Sequence, residues 1–113
     1  MKNSVFLKLW TNEGDVWGSF KISKPKGVKI LFAVYSYESY SGKAFVLFEM
    51  AGKLYEVNGS HCSCYGLEDQ WQPEETTVES LIMRMRNGDL GREYEKDQDF
   101  NLDLFEFLSC GKI

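Results

Sequence analysis

The sequence predicts an α+β fold, an antiparallel sheet of four to five strands covered by one or two C-terminal helices. Three observations lead there. Apolar and aromatic runs of strand length crowd the first half of the chain, two stretches of helical period follow in the last third, and no linker, repeat or low-complexity segment divides the 113 residues. Strands first and helices later is the order of an α+β fold rather than of alternating βαβ units. With 43% hydrophobic and 15% aromatic residues, a single domain over residues 1–113 can bury a core without staples.

SVFLKLW and DVWGSFKI, separated by TNEG, read as a first hairpin, with Gly18 weakening its second strand or marking a bulge. VKILFAVYSY (28–37) and AFVLFEM (44–50) are nearly continuous in apolar residues, the pattern of central strands covered on both faces. ESYSGK joins them at hairpin length, and the AGK turn after Met50 leads into LYEVNGS, which completes a meander. Thr76 with Glu79 fits a capping box, and Val78, Leu81, Ile82 and Met85 fall on one helical face that ends at Asn87-Gly88. GREYEKDQD is polar and reads as exposed. Phe100, Leu104, Phe107 and Leu108 then recur at helical spacing up to Gly111, which reads as a short second helix, with a strand as the alternative because the segment is so apolar.

Charge narrows the range of partners. Thirteen basic against 17 acidic side chains give a net charge of -4, which disfavours general affinity for nucleic acid or an anionic membrane. The lysines of KISKPKGVK (21–29) cluster around a turn, whereas Glu68, Asp69, Glu74, Glu75 and Glu79 have no basic companion within 66–80. Charge separated in this way can orient an encounter with a partner. The first ten residues are too short and too broken by Lys8 for a signal peptide, and no run has membrane-spanning length, so the expected location is the cytoplasm. Three cysteines, an odd number, suit a reducing compartment better than a disulfide framework.

GSHCSCYGLEDQW (59–71) concentrates the residues with chemistry. His61, Cys62 and Cys64, with Cys110 as a distant fourth, have the ligand types of a structural zinc site, although one residue between the two thiols is closer than usual spacing. Otherwise the cysteines are small buried residues and His61 bonds a backbone group. A thiol nucleophile is less well served, because adjacent His61 and Cys62 project to opposite faces of an extended chain. A Cys62–Cys64 disulfide would close a small strained ring. SYSGK lacks the upstream glycine and the ending of a P-loop. No convincing catalytic set emerges, and the reading leans away from an enzyme.

Tyr35, Tyr37, Tyr40, Tyr65 and Trp71 cluster near strand ends and this loop, where aromatic side chains can anchor a protein interface. With Glu68 and Asp69, the residues Tyr37, Tyr40, Tyr65 and Trp71 form the candidate binding set. The alternative is that they lean on the core with their polar tips wet. A single-stranded nucleic-acid or nucleotide-signal site would combine such aromatics with the lysine cluster, but the acidic 66–80 segment opposes it.

The segment 36–81, above all Gly-Ser-His-Cys-Ser-Cys-Tyr-Gly-Leu-Glu with the following Gln-Trp and Pro-Glu-Glu, resembles one shared by small uncharacterised proteins of bacteriophages and bacterial genomes. That resemblance implies a cytoplasmic protein made during phage infection. Short phage accessory proteins often bind and block a host enzyme or a defence complex, CRISPR effectors included. The leading expectation is therefore a non-enzymatic protein that binds a bacterial host or defence protein. The alternatives are a small zinc or thiol protein centred on the His-Cys-Ser-Cys loop, and a nucleotide-signal binder.

Overall fold

The computed structural model describes residues 4–38, 41–62, 66–87 and 101–110. Along them run β1 (Val5–Lys8), α1 (Glu13–Phe20), β2 (Lys29–Glu38), β3 (Ser41–Met50), β4 (Lys53–Cys62), β5 (Glu74–Thr76), α2 (Val78–Arg86) and α3 (Asn101–Cys110). The five strands form one sheet in the order β1-β2-β3-β4-β5. All neighbouring pairs are antiparallel except β1 with β2. The fold is α+β with a mostly antiparallel sheet, and no helix among the described residues is long and apolar enough to cross a membrane.

The N-terminal hairpin is corrected to a β-α-β crossover. Val5 pairs in parallel with Phe32, and the chain between them passes through α1. Local chemistry explains why 13–20 is helical. Asn12 is extended and its side chain accepts from the Asp15 N–H at 3.1 Å, while the Asp15 carboxylate accepts from the Thr11 N–H and hydroxyl at 2.8 and 2.9 Å. This reciprocal arrangement is a variant of the capping box, with Glu13 and Asp15 favourably placed at the positive end of the helix. Val16, Trp17 and Phe20 then fall on one buried face.

The meander follows the expected lines. Glu38 pairs with Ser41 and Met50 with Lys53 at the two reversals. The second is a two-residue turn in which Ala51 (φ 53°) and Gly52 (φ 79°) are both left-handed, the turn whose twist matches the strands it joins. In β2 a bulge between Ile30 and Phe32 shifts the alternation. Leu31 and Phe32 therefore both face one side of the sheet, while Ile30 and Ala33 face the other.

The sheet is covered on both faces. Trp10, Val16, Trp17 and Phe20 from the α1 region pack on Ile30, Ala33, Val46, Phe48 and Val57. On the opposite face Leu81 and Met85 of α2, with Leu104, Phe107 and Leu108 of α3, pack on Phe32, Val34, Phe45 and Leu47. This two-sided burial is why β2 and β3 read as continuous apolar runs. The cap of α2 is Thr77 rather than Thr76, since the Thr77 hydroxyl accepts from the Ser80 N–H at 3.1 Å. The polar stretch 91–99 lies outside the described residues.

Candidate binding cleft at the β4–β5 edge

Alternation along β4 sends Val57 into the α1-side core and Glu56 toward α2. Glu56 is only 5% exposed, one of two buried polar or charged residues among the described ones. A carboxylate in that position needs partners. Arg84, on the flank of the apolar face of α2, supplies them in a two-pronged pair. Its Nη1 donates to Glu56 Oε1 at 2.9 Å and its Nη2 to Oε2. Asn58 Nδ2 also donates to Oε1, at 2.8 Å, and Arg84 Nη2 lies 3.4 Å from the Thr76 hydroxyl.

Burial pushes the Glu56 carboxyl up, but hydrogen bonds from Arg84, Asn58 and Thr76 outweigh it and hold the group below its ordinary value. The hydrogen bond to Glu56 raises Arg84 in turn, against burial and with help from Glu74. Glu56 is thus fixed as a carboxylate with both oxygens engaged, a poor proton-transfer group and a good anchor. Around it Glu56, Asn58, Glu74, Glu75, Thr76, Ser80 and Arg84 line an open polar cleft of about 230 Å³.

The acidic rim comes from β5, a three-residue edge strand. Glu74 and Glu75 are exposed, and Lys53 approaches Glu75 only to 3.9 Å with both side chains in solvent. Pro73 immediately precedes this strand, a position at which proline is compatible with an edge. The cleft therefore presents more negative than positive charge, and its chemistry suits an ammonium or guanidinium group.

No family model matches the chain, and no curated protein or solved structure matches it either. What the cleft can do rests on its own geometry.

The 66–71 loop docks beside this edge. Gln70 Oε1 accepts from the Ser60 N–H at 2.8 Å, and its Nε2 donates to the carbonyls of Ser60 and Gly66 at 2.7 and 2.8 Å. One side-chain amide thus serves the β4 backbone as a neighbouring strand would. Leu67 is buried beneath it, and Gly59 permits the approach: a Cβ there would lie 3.1 Å from Leu67 Cδ2 and 3.3 Å from Gln70 Oε1.

Among the predicted binding residues, Trp71 stacks on Phe48 at 5.4 Å and meets Trp17 and Phe20 edge-on at 5.1 and 5.2 Å. Most of its indole belongs to the α1-side core. Asp69 is exposed with φ 67°, and half-buried Glu68 accepts from the Gly66 N–H at 3.4 Å. Tyr37 pairs with Gly42 in the β2–β3 ladder, His61 with Gly42 and Cys62 with Ser41 in the β3–β4 ladder. The side chains of these three, and all of Tyr40, Cys64 and Tyr65, lie outside the described residues. Among the described residues no group of three or more His, Cys, Asp or Glu could hold a metal. Cys110 closes α3, far along the sequence from the loop.

Sequence reasoning missed Glu56 and Arg84. The signal was an acid flanked by Tyr55 and Val57 inside a strand, and a cation beside the Leu81/Met85 stripe of a helix.

Proposed function

We propose that this protein is a non-enzymatic, phage-type accessory protein that binds a bacterial host or defence protein, taking a basic segment of that partner onto the β4–β5 edge. The observation that carries this reading is the exposed Glu74–Glu75 pair beside a cleft whose floor is already held rigid by Glu56 and Arg84. The backbone of this edge is fixed in advance by the ladder and the Glu56–Arg84 pair, so only the exposed Glu74 and Glu75 side chains are left to order when they meet lysine or arginine. The lysine loop between α1 and β2 leaves from a strand two places removed from β4 in the sheet, so the two charged regions can orient an approaching partner in opposite senses.

The test is recovery of tagged protein from bacterial cytosol followed by native mass spectrometry, for the wild type and for Glu74→Lys/Glu75→Lys. One host protein at fixed stoichiometry, lost in the charge-reversed variant and in high salt, is the expected result. Equal recovery by both proteins, or a bare chain from every host tried, would refute it. The same spectrum reads zinc, the ion that His61, Cys62 and Cys64 would take, and any nucleotide.

A further inference from the structure

A second face of α2 carries a pattern that the cleft does not use and the core uses only at its edge, where half-buried Ile82 leans on the α2–α3 layer. Leu81 and Met85 turn into the sheet and Arg84 turns to Glu56, whereas Glu79, Ile82, Met83 and Arg86 follow one another at the spacing of a single helical stripe. With Asn87 they line a depression of about 270 Å³. Met83 at its centre is 62% exposed. Among the described residues neither Glu79 nor Arg86 has an ion-pair partner.

The stripe reads acid, apolar, apolar, base. Reversed about the midpoint between Ile82 and Met83, it maps onto itself with the charges exchanged. We propose that this face of α2 is a self-association surface, on which a second copy of the chain lays its own α2 antiparallel about a two-fold axis. In that arrangement Glu79 meets the partner's Arg86, Arg86 meets the partner's Glu79, and Ile82 packs on the partner's Met83. A parallel arrangement would oppose acid to acid and base to base, so the charges select the orientation as well as favour the contact.

The helix has nine residues and so spans only about 14 Å. One such pair covers well under the roughly 1,200 Å² of a standard interface, and the association is weak and concentration-dependent. It is distinct from the acidic cleft, because it uses a different side of α2.

The test is sedimentation velocity over a concentration series reaching the millimolar range. Wild type should pass from monomer to dimer. Glu79→Arg alone and Arg86→Glu alone should each self-associate at least about tenfold more weakly, since both charge pairs of the symmetric dimer become repulsive. An equimolar mixture of the two variants should recover dimer, because each then supplies the charge the other has lost; a misfolded variant could not do this. Leu9→Ser, at another exposed apolar site, should behave as wild type. A wild type that stays monomeric, single variants that dimerise as wild type does, a mixture that stays monomeric, or equal weakening by Leu9→Ser would each overturn the proposal.

Discussion

Replacing Arg84 by methionine would leave Glu56, 5% exposed, without its main partner. Breaking a buried ion pair from one side costs about 3–5 kcal/mol, since the remaining charge stays buried. The Arg84 side chain is 34% exposed, so water can partly replace the guanidinium. The expected loss is then about 2–3 kcal/mol at neutral pH. With a urea slope of about 1–1.5 kcal/mol per molar, the midpoint should fall by roughly 2 M.

A pH signature separates this cause from lost packing. In the wild type the folded carboxyl lies below its unfolded value. Its contribution is complete above the unfolded value of about 4.3 and is lost as pH falls through the folded one, where the unfolded chain binds more protons. In Arg84→Met, burial raises the folded value instead, so Glu56 takes up a proton and is relieved as acid is approached. The stability gap between the two proteins should narrow from about pH 7 to about pH 4. Glu56→Leu/Arg84→Met should regain most of the lost stability by putting apolar atoms beside Leu47. Urea melts across pH check all three statements. A cost below about 0.5 kcal/mol for the single variant, or a gap that does not change with pH, would refute the reasoning.

Gln70→Ala should cost about 1–2 kcal/mol by unpairing the Ser60 backbone, with faster amide exchange at Ser60 as the local readout. Trp71→Ala should cost about 2–3 kcal/mol in a thermal or urea melt, less than a fully buried tryptophan because the ring is half-buried. Ala51→Gly should stabilise by about 0.5–1 kcal/mol, since Ala51 holds a left-handed φ that glycine adopts freely. The wild type should lose stability in acid: the Lys24 hydrogen bond lowers Glu13 and hydrogen bonds from Thr11 lower Asp15, so their contributions fade together with that of Glu56 below the unfolded carboxylate range.

The central strands were legible because burial on both faces writes itself as an unbroken apolar run, and Ile30–Val34 and Phe45–Phe48 are such runs. The α2 boundary was legible to within one residue, because two adjacent threonines compete to cap it. Residues 15–22 misled because apolar positions 16, 17, 20 and 22 fit a short strand and one turn of helix almost equally. Asn12 and the acids at 13 and 15 were the better guide, and their weight shows only once the Asn12 and Asp15 hydrogen bonds are visible. The cleft was the least legible element, because Glu56 and Arg84 are separated along the chain and nothing in either local pattern pairs them. The acidic rim, by contrast, was already apparent as a run of carboxylates without cations.

All three tryptophans of the chain, Trp10, Trp17 and Trp71, sit in or against the core on the α1 side of the sheet. The other core contains phenylalanine, leucine and methionine but no indole. Intrinsic fluorescence is therefore a one-sided optical probe, silent when the α2–α3 layer loosens and bright to events at α1. Far-ultraviolet ellipticity draws on α2 and α3 as well. Superimposed transitions from the two signals would mean that the sheet transmits the loss of either layer to the other; separated transitions would resolve, without any label, which side of the molecule opens first.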